Sequence, residues 1–550
     1  MLKLRLALAQ TNPIVGDIEG NIAGILENCL RAAEKGANVI AFGEMSVTGY
    51  PIEDLATREQ FVQKAQQATL ALAKTLFDSG LGELAVIVGH PRLVEIRQAS
   101  GWAIANNYAS VLRGGEVIGG YAKSHLPNYS VFDEYRNFVA GTESFSFEHL
   151  GHKIGLLICE DIWQHGAVVQ DLGLQNCDLT IVLNGSPFEI DKDDRRLALV
   201  RDLASKHKTN VAYVNLVGGQ DDLVFDGDSF AISNQGAVVT RAKQFVTDLR
   251  FVDIDAGQAS AALGEPSSKQ DDNWQAWNAL VLGLRDYCNK NGFKSVVLGL
   301  SGGIDSAVCA AIAADAMGAE NVYGISMPSV YSSDHSKSDA QDAAERIGCH
   351  FFTVPIEPMV QAFESELQFS GVASENLQAR VRGVILMGLS NQHGHLTLTT
   401  GNKTELAVGY STIYGDSVGG FAPIKDVEKT LVWELARWRN TQAVAAGQQP
   451  PIPENSITKP PSAELRPGQV DQDSLPEYAV LDALLRLYVG QHKSVHQIVE
   501  AGFDEAMVRR IVTLVDRAEW KRRQSAIGPK ITGMAFGRDR RLPVTNRNKE

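Results

Sequence analysis

The stretch Ser295–Ala307, SVVLGLSGGIDSA, constrains this chain more than any other. An apolar run, Ser295 to Leu300, predicts a buried strand. It ends in a loop of small residues that opens into an apolar-periodic helix. Gly299, Gly302 and Gly303 let the backbone approach a ligand closely, and a helix beginning at Ser306 turns its free N–H groups toward an anion. No lysine follows the glycines, so the GxxxxGK[ST] loop is absent, and their spacing does not give GxGxxG. A strand, a glycine loop and a helix in this order point to a nucleotide site on a parallel α/β sheet, with a phosphate chemistry other than that of the common kinase loop.

The rest of the chain supplies at least one more domain. Its 550 residues predict two to four domains, and 44% hydrophobic composition supports sizeable cores. Basic residues number 51 and acidic 65, a balance of 51 − 65 = −14, and the only basic clusters are Lys521-Arg522-Arg523 and the arginines of Arg538 to Arg541. Nucleic acid is therefore not expected as a partner. Cys29, Cys159, Cys177, Cys288, Cys309 and Cys349 are scattered without metal-like spacing, which suits a reducing compartment. No apolar run reaches about 18 residues, so no membrane association is expected and a cytoplasmic location is.

From the N-terminus to about Asp255, short apolar runs alternate with helical stretches near Asn21–Lys35 and Thr57–Leu76. The runs outnumber what a single doubly wound sheet needs, so a two-sheet α/β sandwich is expected. Between Asp253 and Trp274 the periodicity fades into Ala, Gly, Ser, Gln and Asp, which sets a boundary dividing the chain into residues 1–265 and 266–550. The second part resumes with a helix over Trp274–Asn291 and strands at NVYGISM, HFFTVPI and HLTLTTG separated by helices, the pattern of a parallel sheet. Proline-rich stretches at Gln449–Pro453 and Lys459–Pro467 read as loops of a length that lids often have.

In the first part, three reactive residues each follow an apolar run: Glu44 after NVIAFG, Lys123 after EVIGGYA and Cys159 after KIGLLI. Singly, each has an ordinary reading, as a solvated carboxylate, a surface lysine and a core thiol. Together they make a chemical set, because a thiolate can attack a carboxamide, a carboxylate can move the protons, and an ammonium can stabilise the oxyanion. The segments FGEMSVTGYP, YAKSHLPNYSVFDEYRNF and GLLICEDIW resemble the nitrilase-like amidases, or carbon–nitrogen hydrolases, over roughly the first 260 residues. That resemblance implies a nitrilase-like α/β sandwich with glutaminase activity, catalytic Glu44, Lys123 and Cys159, and glutamine contacts from Tyr129, Ser186 and Lys192. Two departures stand out. Gly43 takes a place where many members have proline, and Lys192 one where arginine is common, so a point charge replaces a fork at the latter.

In the second part, ENLQARVRG, TTGNKTELAVGYSTIYGDSVGG and KPPSAELRPGQVDQDSLPEY combine glycines with dense polar residues, as ligand loops do. SGGIDS resembles the phosphate loop of the ATP pyrophosphatases. With these three segments and the ending EWKRRQSAIGPKITGMAFGRDRR, the match is to the synthetase domain of the glutamine-dependent NAD synthetases. The resemblance implies an adenine nucleotide α-hydrolase-like fold and ATP-dependent amidation of deamido-NAD through an adenylate. ATP contacts would come from Gly299, Leu300, Ser301, Gly302, Gly303, Ile304, Asp305, Ser306 and Thr400. Asp305 and Glu405 would hold Mg2+, whose preference is for carboxylate oxygen. Deamido-NAD contacts would come from Asn376, Arg380, Lys403, Glu405 and Lys521. The resemblance further implies a homo-oligomer, at least a dimer. Other glutamine-dependent ATP pyrophosphatases, which make asparagine or GMP, are the alternative within the class. A nucleotide-sensing module and a tRNA-modifying adenylating enzyme are alternatives outside it. Leu2 after Met1, in place of an N-terminal nucleophilic cysteine, speaks against asparagine, and Ile158 and Glu160 flanking Cys159, in place of glycines, speak against GMP. Intact Glu44, Lys123, Cys159 and Asp305 speak against a sensor, and the acidic balance against tRNA.

Overall fold

A computed structural model describes residues 2–94, 102–466 and 468–548. Pro467, the end of the second proline-rich stretch, lies outside them. The chain divides into two compact units, Met1–Gln220 with Val224–Gln270, and Asp221–Leu223 with Asp271–Glu550.

The first unit holds two large mixed sheets. One has seven strands: β1 (Leu4–Gln10), β2 (Val39–Phe42), β3 (Ala85–Leu93), β4 (Ala105–Arg113), β5 (Glu116–Ala122), β14 (Asp248–Asp255) and β15 (Gln258–Ala261), in the order β15-β14-β1-β2-β3-β4-β5. The other has six: β6 (Ser146–His149), β7 (His152–Ile158), β8 (Leu179–Asn184), β9 (Asn210–Asn215), β12 (Phe230–Ile232) and β13 (Val238–Arg241), in the order β13-β12-β9-β8-β7-β6. A short ribbon of β10 (Val217–Gln220) and β11 (Leu223–Asp226) stands apart from both. The period-2 alternation of strands sorts side chains into two cores. Leu4, Leu6 and Leu8 of β1 and Val39 and Ala41 of β2 pack with residues of β7, β8 and β9 between the sheets. Ala7 and Ala9, with Ile40 and Phe42, turn to the opposite face and meet Ile18, Ile25, Cys29, Ala65 and Leu72 of the helices Ile18–Glu34 and Glu59–Asp78. Cores on both faces leave little room for charge along the central strands, so much of the polar chemistry gathers toward the strand ends.

The second unit is built on a four-stranded, wholly parallel sheet of β16 (Val296–Gly299), β17 (Val322–Ser326), β18 (His350–Thr353) and β19 (Leu396–Thr397), ordered β18-β17-β16-β19. The helix Ile304–Met317 after β16 buries Ile304, every residue from Ser306 to Ala313, and Ala316, so it is largely apolar around its circumference and lies in the core. Strand order reverses at β16, which places a topological switch point between β16 and β19, where open α/β sheets bind ligands beyond the strands' carboxyl ends. A second core, formed by Leu481, Leu484, Val508, Ile511 and Val515 with Ala407 and Val408, assembles the later helices Tyr478–Leu485 and Glu505–Arg517.

Candidate functional site

Cys159 follows β7 directly and opens a short turn, Cys159–Ile162, with a left-handed φ of 42°. A side-chain-bearing residue holds that conformation only where its surroundings enforce it. Asp161 supplies the enforcement. Fully buried, its carboxylate accepts from the Ile158 N–H at 3.0 Å, the Tyr121 hydroxyl at 2.9 Å, the Ser124 hydroxyl at 2.7 Å and the His125 N–H at 2.9 Å. The nucleophile turn is thereby tied to the loop after β5, which carries Lys123.

Beside Cys159 lies a buried cluster of charges. The Lys123 ammonium, 0% exposed, donates to Glu44 Oε1 at 2.7 Å and pairs with Glu134 Oε2 at 2.8 Å. Asn107 Nδ2 also donates to Glu44 Oε1, at 2.6 Å, and the Gly185 N–H donates to Glu44 Oε2 at 2.9 Å. The Tyr50 hydroxyl donates to the second oxygen of Glu134 at 2.8 Å. Burial opposes the charge on Lys123, but Glu134 and Glu44 outweigh it and hold the ammonium well above the ordinary lysine range. Burial, with the Glu44 charge, drives the Cys159 thiol far above its ordinary range against the pull of Lys123. The resting nucleophile is therefore a neutral thiol that needs a base at hand. The Glu134 carboxyl is pushed up to about 7 by burial, with Lys123 pulling it down and Glu44 pushing it up.

Of the residues expected to hold glutamine, Tyr129 and Ser186 adjoin this centre. Tyr129, half exposed, donates its hydroxyl to Glu160 Oε2 at 2.9 Å, on the residue next to the nucleophile. Ser186 lies in the loop after β8, where its N–H donates to Asn215 Oδ1 and its hydroxyl accepts from Arg196 Nε at 3.2 Å. Lys192 begins the helix Lys192–His207 and lies 3.3 Å from Glu189. The buried Arg196 grips Asp226 with both carboxylate oxygens at 2.8 Å and the Ser186 carbonyl at 2.8 Å, so it braces the loop that presents Ser186.

In the second unit, the phosphate loop leaves β16 and doubles back on itself. The Ser306 hydroxyl donates to the Gly303 carbonyl at 2.9 Å, the Gly303 N–H to Ser301 Oγ at 3.2 Å, and the Ser456 hydroxyl to the Gly302 carbonyl at 2.9 Å. Gly302 has φ of 78°, and a Cβ there would stand 2.3 Å from the Ser336 carbonyl oxygen, so any other residue would have to displace backbone. The helix starts at Ile304, two residues earlier than Ser306. Opposite, in the loop after β19, Asn402 caps the helix Lys403–Val408 in a reciprocal box with Glu405, and its Nδ2 reaches Asp305 Oδ1 at 3.0 Å. Asp305 and Glu405 converge on the buried Lys429 ammonium, which is bonded to Asp305 Oδ2 and lies 3.5 Å from Glu405 Oε1. Burial and the Asp305 charge push the Glu405 carboxyl up to about 8. Burial opposes the charge on Lys429, but Asp305 and Glu405 raise it above the ordinary lysine range.

Both constellations lie within segments that match known families. The carbon-nitrogen hydrolase family model matches residues 5–262 and the NAD synthase model residues 276–525. The glutamine-dependent NAD(+) synthetase of Acinetobacter baylyi is 45% identical over 99% of each chain, and that of Aquifex aeolicus 42% over 99% of each. The chain belongs to the glutamine-dependent NAD(+) synthetase family. Among solved structures, the family member from Acinetobacter baumannii in complex with ADP is 42% identical over 99% of each chain, with a TM-score of 0.78. The glutamine-dependent NAD(+) synthetase from Cytophaga hutchinsonii, at 22% identity over 99% of this chain and 98% of its own with a TM-score of 0.82, bears on the fold alone.

In this NAD(+) synthetase family member, Glu44, Lys123 and Cys159 come together in one cluster, and Asp305, Glu405 and the phosphate loop in another. Thr400 lies between β19 and the helix Lys403–Val408. The residues expected to meet deamido-NAD are distributed differently. Asn376 Oδ1 accepts from the Thr412 hydroxyl at 2.8 Å, and Arg380 Nε donates to the Ile413 carbonyl at 3.3 Å. Lys521 is bound to the Gly409 and Ser411 carbonyls at 2.7 and 2.6 Å. Lys403 pairs with Asp426 at 2.8 Å and donates to Thr532 Oγ1 and the Met534 carbonyl, so its charge is already matched inside the fold. Sequence reasoning missed Glu134, Asn107, Asp161, Arg196 and Lys429. Glu134 stood within the quoted YAKSHLPNYSVFDEYRNF segment, but only contacts across the fold reveal it as a second carboxylate on Lys123.

Proposed function

We propose that this chain hydrolyses glutamine at Cys159 and uses the ammonia, with ATP, to convert deamido-NAD to NAD. Cys159 transfers its proton to Glu44 as sulfur attacks the carboxamide carbon of glutamine, and Lys123 neutralises charge beside the tetrahedral oxyanion. Glu44 returns that proton to nitrogen as the C–N bond breaks, ammonia leaves, and water then cleaves the thioester to glutamate and free thiol. Glu134 keeps Lys123 in place and tempers its charge. In the second unit, the nicotinate carboxylate oxygen attacks the α-phosphorus of ATP, pyrophosphate departs, and ammonia displaces AMP from the acyl-adenylate to leave the amide.

Mg2+ suits the second constellation. Two hard carboxylates, Asp305 and Glu405, stand there together on either side of Lys429, while no cluster of three or more His, Cys, Asp or Glu able to hold a metal occurs among the described residues. That donor set matches an ion bound by one or two carboxylates and completed by substrate phosphates. Asp305 and Glu405 would hold it, and bound Mg2+ would neutralise charge on the phosphates. Asn402 orients Asp305, and Lys429 keeps the two carboxylates at close quarters. An enzyme at least dimeric and cytoplasmic completes the reading, in keeping with six free cysteines; among the described residues no helix is long and apolar enough to cross a membrane.

What carries the proposal is that both constellations are intact in one chain 45% identical over 99% of its length to a glutamine-dependent NAD(+) synthetase. The test is pyrophosphate and NAD release with ATP, Mg2+ and a panel of carboxylate acceptors, with glutamine or ammonium as donor. Cys159→Ala should abolish glutamine-supported NAD formation and leave ammonium-supported formation within about twofold, because the ATP site loses no group. Equal loss with both donors in a folded variant, or turnover with an acceptor other than deamido-NAD, would refute it.

A further inference from the structure

We infer that Asn107 is a positioning residue for glutamine hydrolysis, one that dictates which oxygen of Glu44 receives the proton of Cys159. The inference rests on the reading of Glu44 as the base. A carboxylate offers about four lone-pair directions. On Glu44, Oε1 is taken twice, by Lys123 Nζ at 2.7 Å and Asn107 Nδ2 at 2.6 Å, whereas Oε2 is taken once, by the Gly185 N–H at 2.9 Å. The remaining direction is on Oε2, so this oxygen is the one that accepts a proton. Without Asn107, both oxygens would carry one donor each and the carboxylate could present either to the thiol.

Three observations give Asn107 this role. It sits on β4, fully buried, where its backbone carbonyl accepts from the Lys123 N–H at 2.9 Å, so one residue fixes both the lysine backbone and the Glu44 side chain. Its amide can face Glu44 only through nitrogen, since its oxygen would oppose a carboxylate. Among the described residues, its own Oδ1 is buried without a hydrogen-bond partner. A residue kept for the fold alone would be expected to satisfy its acceptor or be replaced by an apolar one. Asn107 instead leaves its acceptor unmet while donating to the base.

The experiment measures glutamine hydrolysis by the full chain carrying Asn107→Ala, Asn107→Asp or Glu44→Gln. Asn107→Ala should lower kcat about 10- to 100-fold with KM for glutamine within about twofold, and ammonium-supported NAD formation should persist. Asn107→Asp places a second carboxylate against Glu44 and can donate only when protonated. Its kcat should therefore recover, relative to the unmodified protein, as pH falls from about 8 to about 5.5. If the alanine variant fails to fold, the pH profile of the aspartate variant decides alone. Wild-type kcat in Asn107→Ala, or a wild-type pH profile in Asn107→Asp, overturns the inference while a dead Glu44→Gln leaves the base assignment standing. Full hydrolysis by Glu44→Gln would instead overturn the base assignment itself.

Discussion

At the scale of single residues, the first site is a matter of how many protons four buried groups share. Glu134 is pushed up to about 7 by burial, against an ordinary value of 4.5. Between those values the native state binds more protons than the unfolded chain, so this group makes stability fall as pH rises from about 4.5 to about 7. Glu134→Gln keeps an oxygen for Lys123, turns its NH2 toward the Tyr50 hydroxyl, and cannot ionise. We predict that its thermal midpoint declines less than that of the unmodified protein between pH 5 and pH 7; an equal or steeper decline would show that Lys123 already offsets the burial. Cys159, Glu44 and Lys123 were legible because each closes an apolar run, a position local sequence reveals. Glu134, Asn107 and Lys429 were not, because a buried asparagine or lysine acquires its meaning from a partner brought near only by folding. Lys403 shows the converse, since its ammonium looked available in sequence and is bound to Asp426 in the fold.

Among elements, the strand–loop–helix after β16 is the most exacting. Its strand was expected over Ser295–Leu300 and spans Val296–Gly299, and its parallel partners follow the expected runs. Alternation and run length report such strands well, whereas the shortness of β19, two residues paired with β16, is not legible in its run HLTLTTG. Gly302 has both a left-handed φ and a carbonyl oxygen 2.3 Å from where a Cβ would stand. Gly302→Ala must therefore shift the backbone of the loop or of Ser336, at a cost exceeding about 1 kcal/mol. We expect pyrophosphate release to drop at least about tenfold with glutamine and with ammonium alike. Glutamate release without ATP should be preserved, and normal pyrophosphate release would show that the loop tolerates the displacement.

For the whole molecule, two units with separate cores carry two chemistries linked by ammonia. Ammonium at neutral pH is mostly protonated and not nucleophilic, so hydrolysis is useful only while an adenylate waits. We predict that ATP and deamido-NAD together raise glutamate release, with a coupling of about 1–3 kcal/mol, or roughly 5- to 150-fold. An unchanged rate with both substrates bound would mean that the sites work independently. Fading periodicity before Trp274 sets a boundary at residue 265, whereas the compact units divide after Gln270 and the fading stretch still holds strand β15. Lys429, lodged between Asp305 and Glu405, has a consequence for handling the protein. The two acids already possess a resident counter-ion, so stripping the divalent ion leaves no bare anionic cavity to spring open. Chelator-treated protein should therefore keep its melting temperature within about a degree and recover full synthesis as soon as Mg2+ is restored. Such recovery would assign magnesium to turnover and not to assembly, and slow or incomplete recovery after chelation would place it in both.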